Sequence, residues 1–190
     1  MLSRGDFSDV SAILLTHEHY DHIGGLMEFE YWCNRVLHVF AGYDVLPTLR
    51  LTPRLSTMIL LSEFESHSLI VFGSLQVIPF KVMHHVPCYG FLFQEGGRKI
   101  AYYSDSGQIL SEFHIRLLAE VDVAIFHTPA FEHADHHISV QELIELLQRY
   151  PTRQPVITHI SHHNRKHEEL VEELRPHNIL VAYDGMEIEV

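Results

Sequence analysis

Ile13-Leu14-Leu15-Thr16-His17-Glu18-His19-Tyr20-Asp21-His22-Ile23-Gly24-Gly25-Leu26 places three imidazoles and two carboxylates within six residues, directly behind an apolar run. Ile13-Leu14-Leu15 reads as a buried strand. Side chains two apart on extended backbone point the same way, so His17 and His19 present their rings to one cation. Asp21 and His22 fall where the chain turns into a Gly-containing helix. They therefore project in another direction and suit a second cation a few ångströms away. A polar surface loop accounts for a lone histidine but not for this density of ligand types.

Two cations need more donors than this loop holds, and His or Asp residues recur where later apolar runs end. Residues 77–83 read as a strand running into His84-His85-Val86-Pro87-Cys88-Tyr89-Gly90-Phe91. Lys99-Ile100-Ala101-Tyr102-Tyr103 ends in Ser104-Asp105-Ser106-Gly107, and Pro155-Val156-Ile157-Thr158 ends in His159-Ile160-Ser161-His162-His163. Adjacent strand residues face opposite ways, so only one of His84 and His85 reaches the cations. An acidic residue before a Gly turn also serves as an ordinary turn cap, and taken alone Asp105 is open to either reading.

The composition suits a catalytic domain that works in water. With 190 residues, 46% of them hydrophobic, the chain is long enough for one core and short for two. No apolar run approaches the roughly 20 residues of a membrane span, and no secretory pattern opens the chain, so a cytoplasmic location without membrane attachment is expected. Cys33 and Cys88 are too few for a disulfide framework and lack CxxC spacing. Both read as reduced thiols, with Cys88 placed to line a pocket after His84. The formal charge of −12, of which two divalent ions would offset four, argues against tracking a nucleic-acid backbone. Small substrates are favoured.

Strand-like and helix-like runs alternate without a linker, repeat or low-complexity segment, which makes residues 1–190 one expected unit. Helices are expected over 21–31, 43–61 with a break near Pro53, 110–119, and 166–174 before Pro176. Strands are expected over 36–40, 69–83, 89–103 with a turn at Glu95-Gly96-Gly97-Arg98, 122–126, 179–183 and 186–190. Ser139-Val140-Gln141-Glu142 has the form of a capping box, with Val140, Leu143, Ile144 and Leu147 following at helical spacing.

The His-x-His-x-Asp-His string with Gly24-Gly25 behind an apolar strand resembles the metallo-β-lactamase fold superfamily. That resemblance implies an α/β chain folded as an αβ/βα sandwich. It selects His84, six residues before Gly90-Phe91, as the third histidine. It also implies that Asp105 is the carboxylate shared by two ions and that His159 is the last ligand. One ion is then expected on His17, His19 and His84, the other on Asp21, His22 and His159, with Asp105 and a hydroxide between them. Nitrogen and oxygen donors without thiolate suit zinc or manganese, with iron or nickel also compatible.

Thr158-His159-Ile160-Ser161-His162, with Ala182-Tyr183-Asp184-Gly185-Met186-Glu187-Ile188 near the C-terminus, is similar to the ending of the PhnP-type cyclic phosphate phosphodiesterases. In that branch, and in ribonuclease Z, a further histidine precedes a helix; it matches His137 and implies a general acid, with Asp21 orienting the attacking water. His137 as a mere neighbour of a helix N-terminus is the other reading, since the dipole there disfavours a charged imidazole. His85, His136 and His162 are left to supporting roles. The resemblance thus implies hydrolysis of a small phosphodiester, with glyoxalase II-type thioester hydrolysis using the same ligands as the alternative. Enzymes of this superfamily begin further upstream of the motif than this chain does. The expectation is therefore a fold lacking its first strands, prone to pair with a second copy, or a metal-binding but catalytically incomplete chain that a partner completes.

Overall fold

A computed structural model describes residues 10–32, 35–108 and 111–190; Cys33 and Leu110 lie outside them. Strands β1 (Ile13–Leu14), β2 (Leu37–Gly42) and β3 (Ile59–Phe64) form a small all-parallel sheet in the order β1-β2-β3. The remaining strands are β4 (Ile70–Phe72), β5 (Leu75–Lys81), β6 (Tyr89–Glu95), β7 (Arg98–Tyr102), β8 (Val123–His127), β9 (Pro155–Thr158) and β10 (Leu180–Val181). They make a mixed sheet in the order β10-β9-β8-β7-β6-β5-β4. β4 to β7 are antiparallel neighbours, and β7 to β10 run parallel.

The helices are α1 (Tyr20–Ile23), α2 (Phe29–Trp32), α3 (Pro53–Met58), α4 (Glu112–Glu120), α5 (Val140–Arg149) and α6 (His167–Leu174). Period-two alternation divides the large sheet's side chains between two cores. Phe80, Leu92, Ala101, Tyr103, Phe126 and Ile157 pack against Leu117 and Leu118 of α4, Val140 and Leu143 of α5, and Leu170 and Leu174 of α6. Val77, Tyr89 and Phe91 point the other way, into a core shared with Leu15, Val39, Ala41 and Leu55 of the small sheet and its short helix Pro53–Met58. The expected sandwich is therefore present, with two sheets face to face and helices outside.

Three elements differ from expectation. The region 43–61 holds only a 3-10 turn at Leu46–Thr48 and the helix Pro53–Met58, and Ile59–Phe64 leaves it as β3. Thr52 caps that helix from its side chain, but six register pairs with β2 extend the backbone from Ile59 onward. Met186-Glu187-Ile188-Glu189-Val190 alternates as a strand would, yet it carries no strand and has no strand neighbour among the described residues. The helix expected over 21–31 is divided by Gly24-Gly25 into Tyr20–Ile23, a 3-10 turn Gly24–Glu28, and Phe29–Trp32. The capping box forms, with Ser139 N–H donating to Glu142 Oε2 at 2.8 Å and Glu142 N–H to Ser139 Oγ at 3.2 Å.

Gly42 allows the two sheets to approach. A Cβ there would stand 2.2 Å from Cε2 of Tyr89, whose ring is fully buried and whose hydroxyl donates to Asp44 at 2.7 Å. At Gly25 a Cβ would meet nothing within 4 Å. Gly42→Ala is expected to lose about 1–3 kcal/mol of stability from overpacking, while Gly25→Ala stays within about 0.5 kcal/mol. Thermal and denaturant unfolding of the two variants measure the contrast, and equal midpoints would contradict it.

Candidate metal centre

The donor-bearing loops meet because the strands before them end at the same edge. β7, β8 and β9 run parallel, and β5 runs parallel to β7 through its antiparallel neighbour β6. Their C-terminal ends deliver Asp105, His127, His159 and His84 respectively, as expected at the carboxyl ends of sheet strands. β1 supplies the rest by crossing between sheets: Leu15 N–H donates to Phe40 of β2 at 2.8 Å, and Thr16 C=O accepts from Tyr89 N–H of β6 at 3.0 Å. His17 follows at that junction, fully buried.

Further backbone bonds tie the loops together. Gly107 N–H donates to Met83 C=O and Ile138 N–H to Ser106 C=O, each at 2.7 Å, linking the loops of Asp105, His84 and His137. Thr128 N–H donates to Thr158 C=O at 3.1 Å, beside His127 and His159. Ser104, His136 and His159 all sit in the left-handed region, with φ of 53°, 60° and 58°. Each such residue costs on the order of 1–3 kcal/mol, and such strain clusters where function demands a particular direction of side chain.

Donor atoms form two groups, each within 4.8 Å: His17, His19, His84 and Asp105, and His22, Asp105, His127 and His159. Asp105, with a side chain 3% exposed, belongs to both. Its Oδ2 lies 3.4 Å from His17 Nε2, 3.2 Å from His22 Nε2 and 3.9 Å from His84 Nε2. Asp21 stands outside these groups but close by, its Oδ2 3.2 Å from His159 Nε2 and 3.5 Å from His22 Nε2, with 61% of the side chain exposed. The structure thus brings together every residue that the sequence put forward as a ligand.

The arrangement fits divalent cations on its own geometry. His22 Nε2 is buried 3.2 Å from Asp105 Oδ2 yet makes no hydrogen bond, and His137 Nδ1, 3.9 Å from Asp105 Oδ1, is likewise buried without a partner. Buried polar atoms are ordinarily satisfied, and unpaired donors converging on a common centre are what a cation would require. The tautomers agree. His84 Nδ1–H donates to His136 C=O at 3.1 Å, and His17 Nδ1 lies 2.9 Å from Thr16 Oγ1, which leaves each Nε2 facing inward.

Burial works against the Asp105 carboxylate, but the hydrogen bond from His127 and the His17 and His22 imidazoles facing it outweigh that and hold its carboxyl far below the usual range. Partial burial also opposes the Asp21 charge, and His22 and His159 more than compensate, leaving it lowered. His22 is lifted above its ordinary value because its closeness to the Asp105 and Asp21 carboxylates outweighs its desolvation. Desolvation lowers His19, His127 and His137 and pushes His84 down to about 4. Cys88, buried 3.5 Å from His17 Nδ1 and pushed up by burial to about 12, lies outside both donor groups and backs the site.

His137 stands at the rim, Nδ1 3.9 Å from Asp105 Oδ1, its ring 5.2 Å from that of His84 and 6.0 Å from that of His159. His85 is turned outward as alternation requires, with its ring 4.6 Å from His19 and 4.9 Å from His136. His162 is exposed against His163 at 3.9 Å, and Ser161 and Asn164 brace the loop instead, donating to Pro129 and Thr128 C=O at 2.7 and 2.8 Å. The residue missed in the sequence is His127, whose Nδ1 lies 2.7 Å from Asp105 Oδ1. Its signal was the one used elsewhere, a histidine ending an apolar strand.

Comparison with known proteins agrees with this geometry. Residues 1–160 match the family model described as beta-lactamase superfamily domain. The chain is 31% identical to part of the octanoyltransferase of Porphyromonas gingivalis; the match covers 94% of this chain and 37% of that protein, so the chain spans little more than a third of this relative's length. A diphosphatase from the PhnP family superposes with a TM-score of 0.81 at 23% identity over 95% of this chain and 72% of that one. Zn(2+)-bound PqqB from Methylobacterium extorquens gives 0.82 at 18% identity over 94% and 73%.

The histidine shifts have a measurable consequence in metal-free protein. Unfolded, His84 titrates near 6.5; folded, it does so near 4, so the unfolded chain binds more protons between those values. Its contribution is whole above pH 6.5 and is lost as pH falls to about 4, with His19, His127 and His137 acting in the same direction and His22 opposing. Chelator-treated protein should lose on the order of 1–2 kcal/mol across that window, after allowance for solvent screening, and His84→Gln should lessen the loss. A melting temperature that rises on acidification would contradict this.

Proposed function

The chain belongs to the beta-lactamase superfamily domain family, whose fold serves metal-dependent hydrolases, and on that premise we propose that this hydrolase cleaves a small phosphodiester at a centre of two divalent ions. We assign one ion to His17, His19 and His84 and the other to Asp21, His22 and His159, with Asp105 shared. Zinc or manganese is the expected metal, with iron or nickel compatible with the same donors. When bound, such ions supply positive charge to phosphoryl oxygens and lower the pKa of water to about 7.

The chain's own residues do the rest. Asp21, solvent-facing and held as a carboxylate, accepts a hydrogen bond from the attacking water and so aims it. His137 donates a proton to the departing oxygen. Burial lowers this imidazole, and an incoming phosphodiester anion raises it again. We place the reaction in the cytoplasm; among the described residues no helix is long and apolar enough to cross a membrane.

The single observation that carries the phosphodiester reading is His137, pinned beside the donors by the bond from Ile138 N–H to Ser106 C=O. An alkoxide is a poor leaving group that needs this proton. A thiolate, with a thiol pKa near 8.5, leaves without it.

Thioester hydrolysis is the second reading, and two observations favour it. One relative transfers an octanoyl group. A cavity of about 340 Å³, lined by Ile13, Leu14, Phe91, Phe93 and Tyr102, reaches His22 and is large enough for a short acyl chain.

Metal-reconstituted protein is to be assayed on bis(p-nitrophenyl) phosphate, on a cyclic phosphodiester with an alkyl leaving group, and on an octanoyl thioester. Turnover of both phosphodiesters is expected. His137→Ala should slow the alkyl substrate about 10²–10⁴-fold while slowing the p-nitrophenyl one less than about tenfold. Turnover of the thioester alone would overturn the phosphodiester reading. Equal losses on both phosphodiesters would remove His137 as the acid.

A further inference from the structure

His127 ends β8 with a side chain 3% exposed, and no step of the proposed reaction uses it. Its place is nonetheless tightly determined. The ring lies nearly parallel to that of His159, at 4.8 Å and 13°, and meets Tyr102 edge-on at 5.0 Å. With a proton on Nδ1 it donates to Asp105 Oδ1 at 2.7 Å, the shortest of the contacts to this carboxylate.

The two oxygens of Asp105 therefore have different surroundings. Oδ1 is engaged by His127, with His137 and His159 each at 3.9 Å. Oδ2 faces His17 and His84 of one donor group and His22 of the other, at 3.4, 3.9 and 3.2 Å. A carboxylate free to rotate about its terminal bond exchanges its two oxygens, or turns both toward one cation. A buried N–H on one oxygen prevents both.

We propose that His127 is a positioning residue whose Nδ1–H bond to Oδ1 fixes the rotation of Asp105, so that Oδ2 stays turned toward His17 and His84 of one donor group and His22 of the other. The assignment rests on the two-ion reading above and adds to it. His127 also stands among the nitrogens that could ligate beside His22 and His159, and the test distinguishes a ligand from a positioner.

Three proteins suffice: wild type, His127→Asn, whose amide N–H falls where Nδ1 was, and His127→Phe, which keeps a ring and loses the donor. Each is stripped with chelator and titrated with Mn²⁺, with uptake followed by elemental analysis and spin coupling by electron paramagnetic resonance. Wild type is expected to take two ions per chain with an exchange-coupled spectrum. His127→Phe should bind the second ion about 10–100-fold more weakly, the usual cost of losing a partner that orients a ligand, and should lose the coupling. It should keep the first ion on His17, His19 and His84, which also shows that it is folded. His127→Asn should restore both affinity, within about threefold, and coupling.

Wild-type affinity and coupling in His127→Phe would overturn the assignment, and an Asn variant as weak as the Phe variant would overturn it in favour of ligation by the ring. Wild type that takes no second ion would instead sink the two-ion reading itself. Should His127→Phe fail to fold, His127→Gln, whose amide reaches the Nε2 position and not that of Nδ1, is read in its place.

Discussion

A carboxylate with almost no access to water is the constraint on which the site depends. Burying an isolated charge costs several kcal/mol even after the protein relaxes, and Asp105 is 3% exposed at its side chain. It is tolerated because imidazoles surround it: His127 on one oxygen, His17 and His22 on the other. Those rings come from two separate stretches of chain and the carboxylate from a third, so it is satisfied only when β1, β7, β8 and their loops are all in place. The left-handed backbone at Ser104 and His159 belongs to the same requirement, since it turns the chain at the strand ends where these side chains must converge.

The division of labour between the two sheets follows from this. The small sheet contributes one loop, which crosses to β6 through Thr16 and so places His17, His19, Asp21 and His22 opposite the edge of the large sheet. The large sheet contributes Asp105, His84, His127 and His159 from strands that run the same way. Its alternating faces let one strand serve two cores, which keeps the edge rigid between α4–α6 and the small sheet. Two donor groups that share one carboxylate are thus a product of topology, and the same topology is found in the PhnP-family diphosphatase and in zinc-bound PqqB.

Much of the centre was legible in the sequence because its donors mark themselves. His17, His19, Asp21 and His22 stand within six residues, and His84, Asp105 and His159 each close an apolar run. That only one of His84 and His85 faces the centre followed from alternation, the resemblance chose His84, and the structure gives that side chain no exposure against an exposed His85. His127 closes an apolar run in the same way but was passed over, because the resemblance supplied a complete ligand set without it and its partner, Asp105, is 22 residues away. β3 was hidden by local signals: Thr52-Pro53 starts a real helix, and only pairing with β2, far away in sequence, turns Ile59-Leu60-Leu61 into strand. Residues 186–190 show the opposite, with alternation present and no partner strand among the described residues. Local pattern identified donors and faces, while non-local pairing decided which patterns became structure.

The central claim is that one buried carboxylate oxygen lies between two cation sites. An anomalous difference map from crystals grown with zinc or manganese, recorded at the absorption edge of the metal, tests it most directly. Two peaks about 3.5–4 Å apart on either side of Asp105 Oδ2 are the predicted result. A single peak away from Asp105, or none among these histidines at full metal loading, would contradict the account.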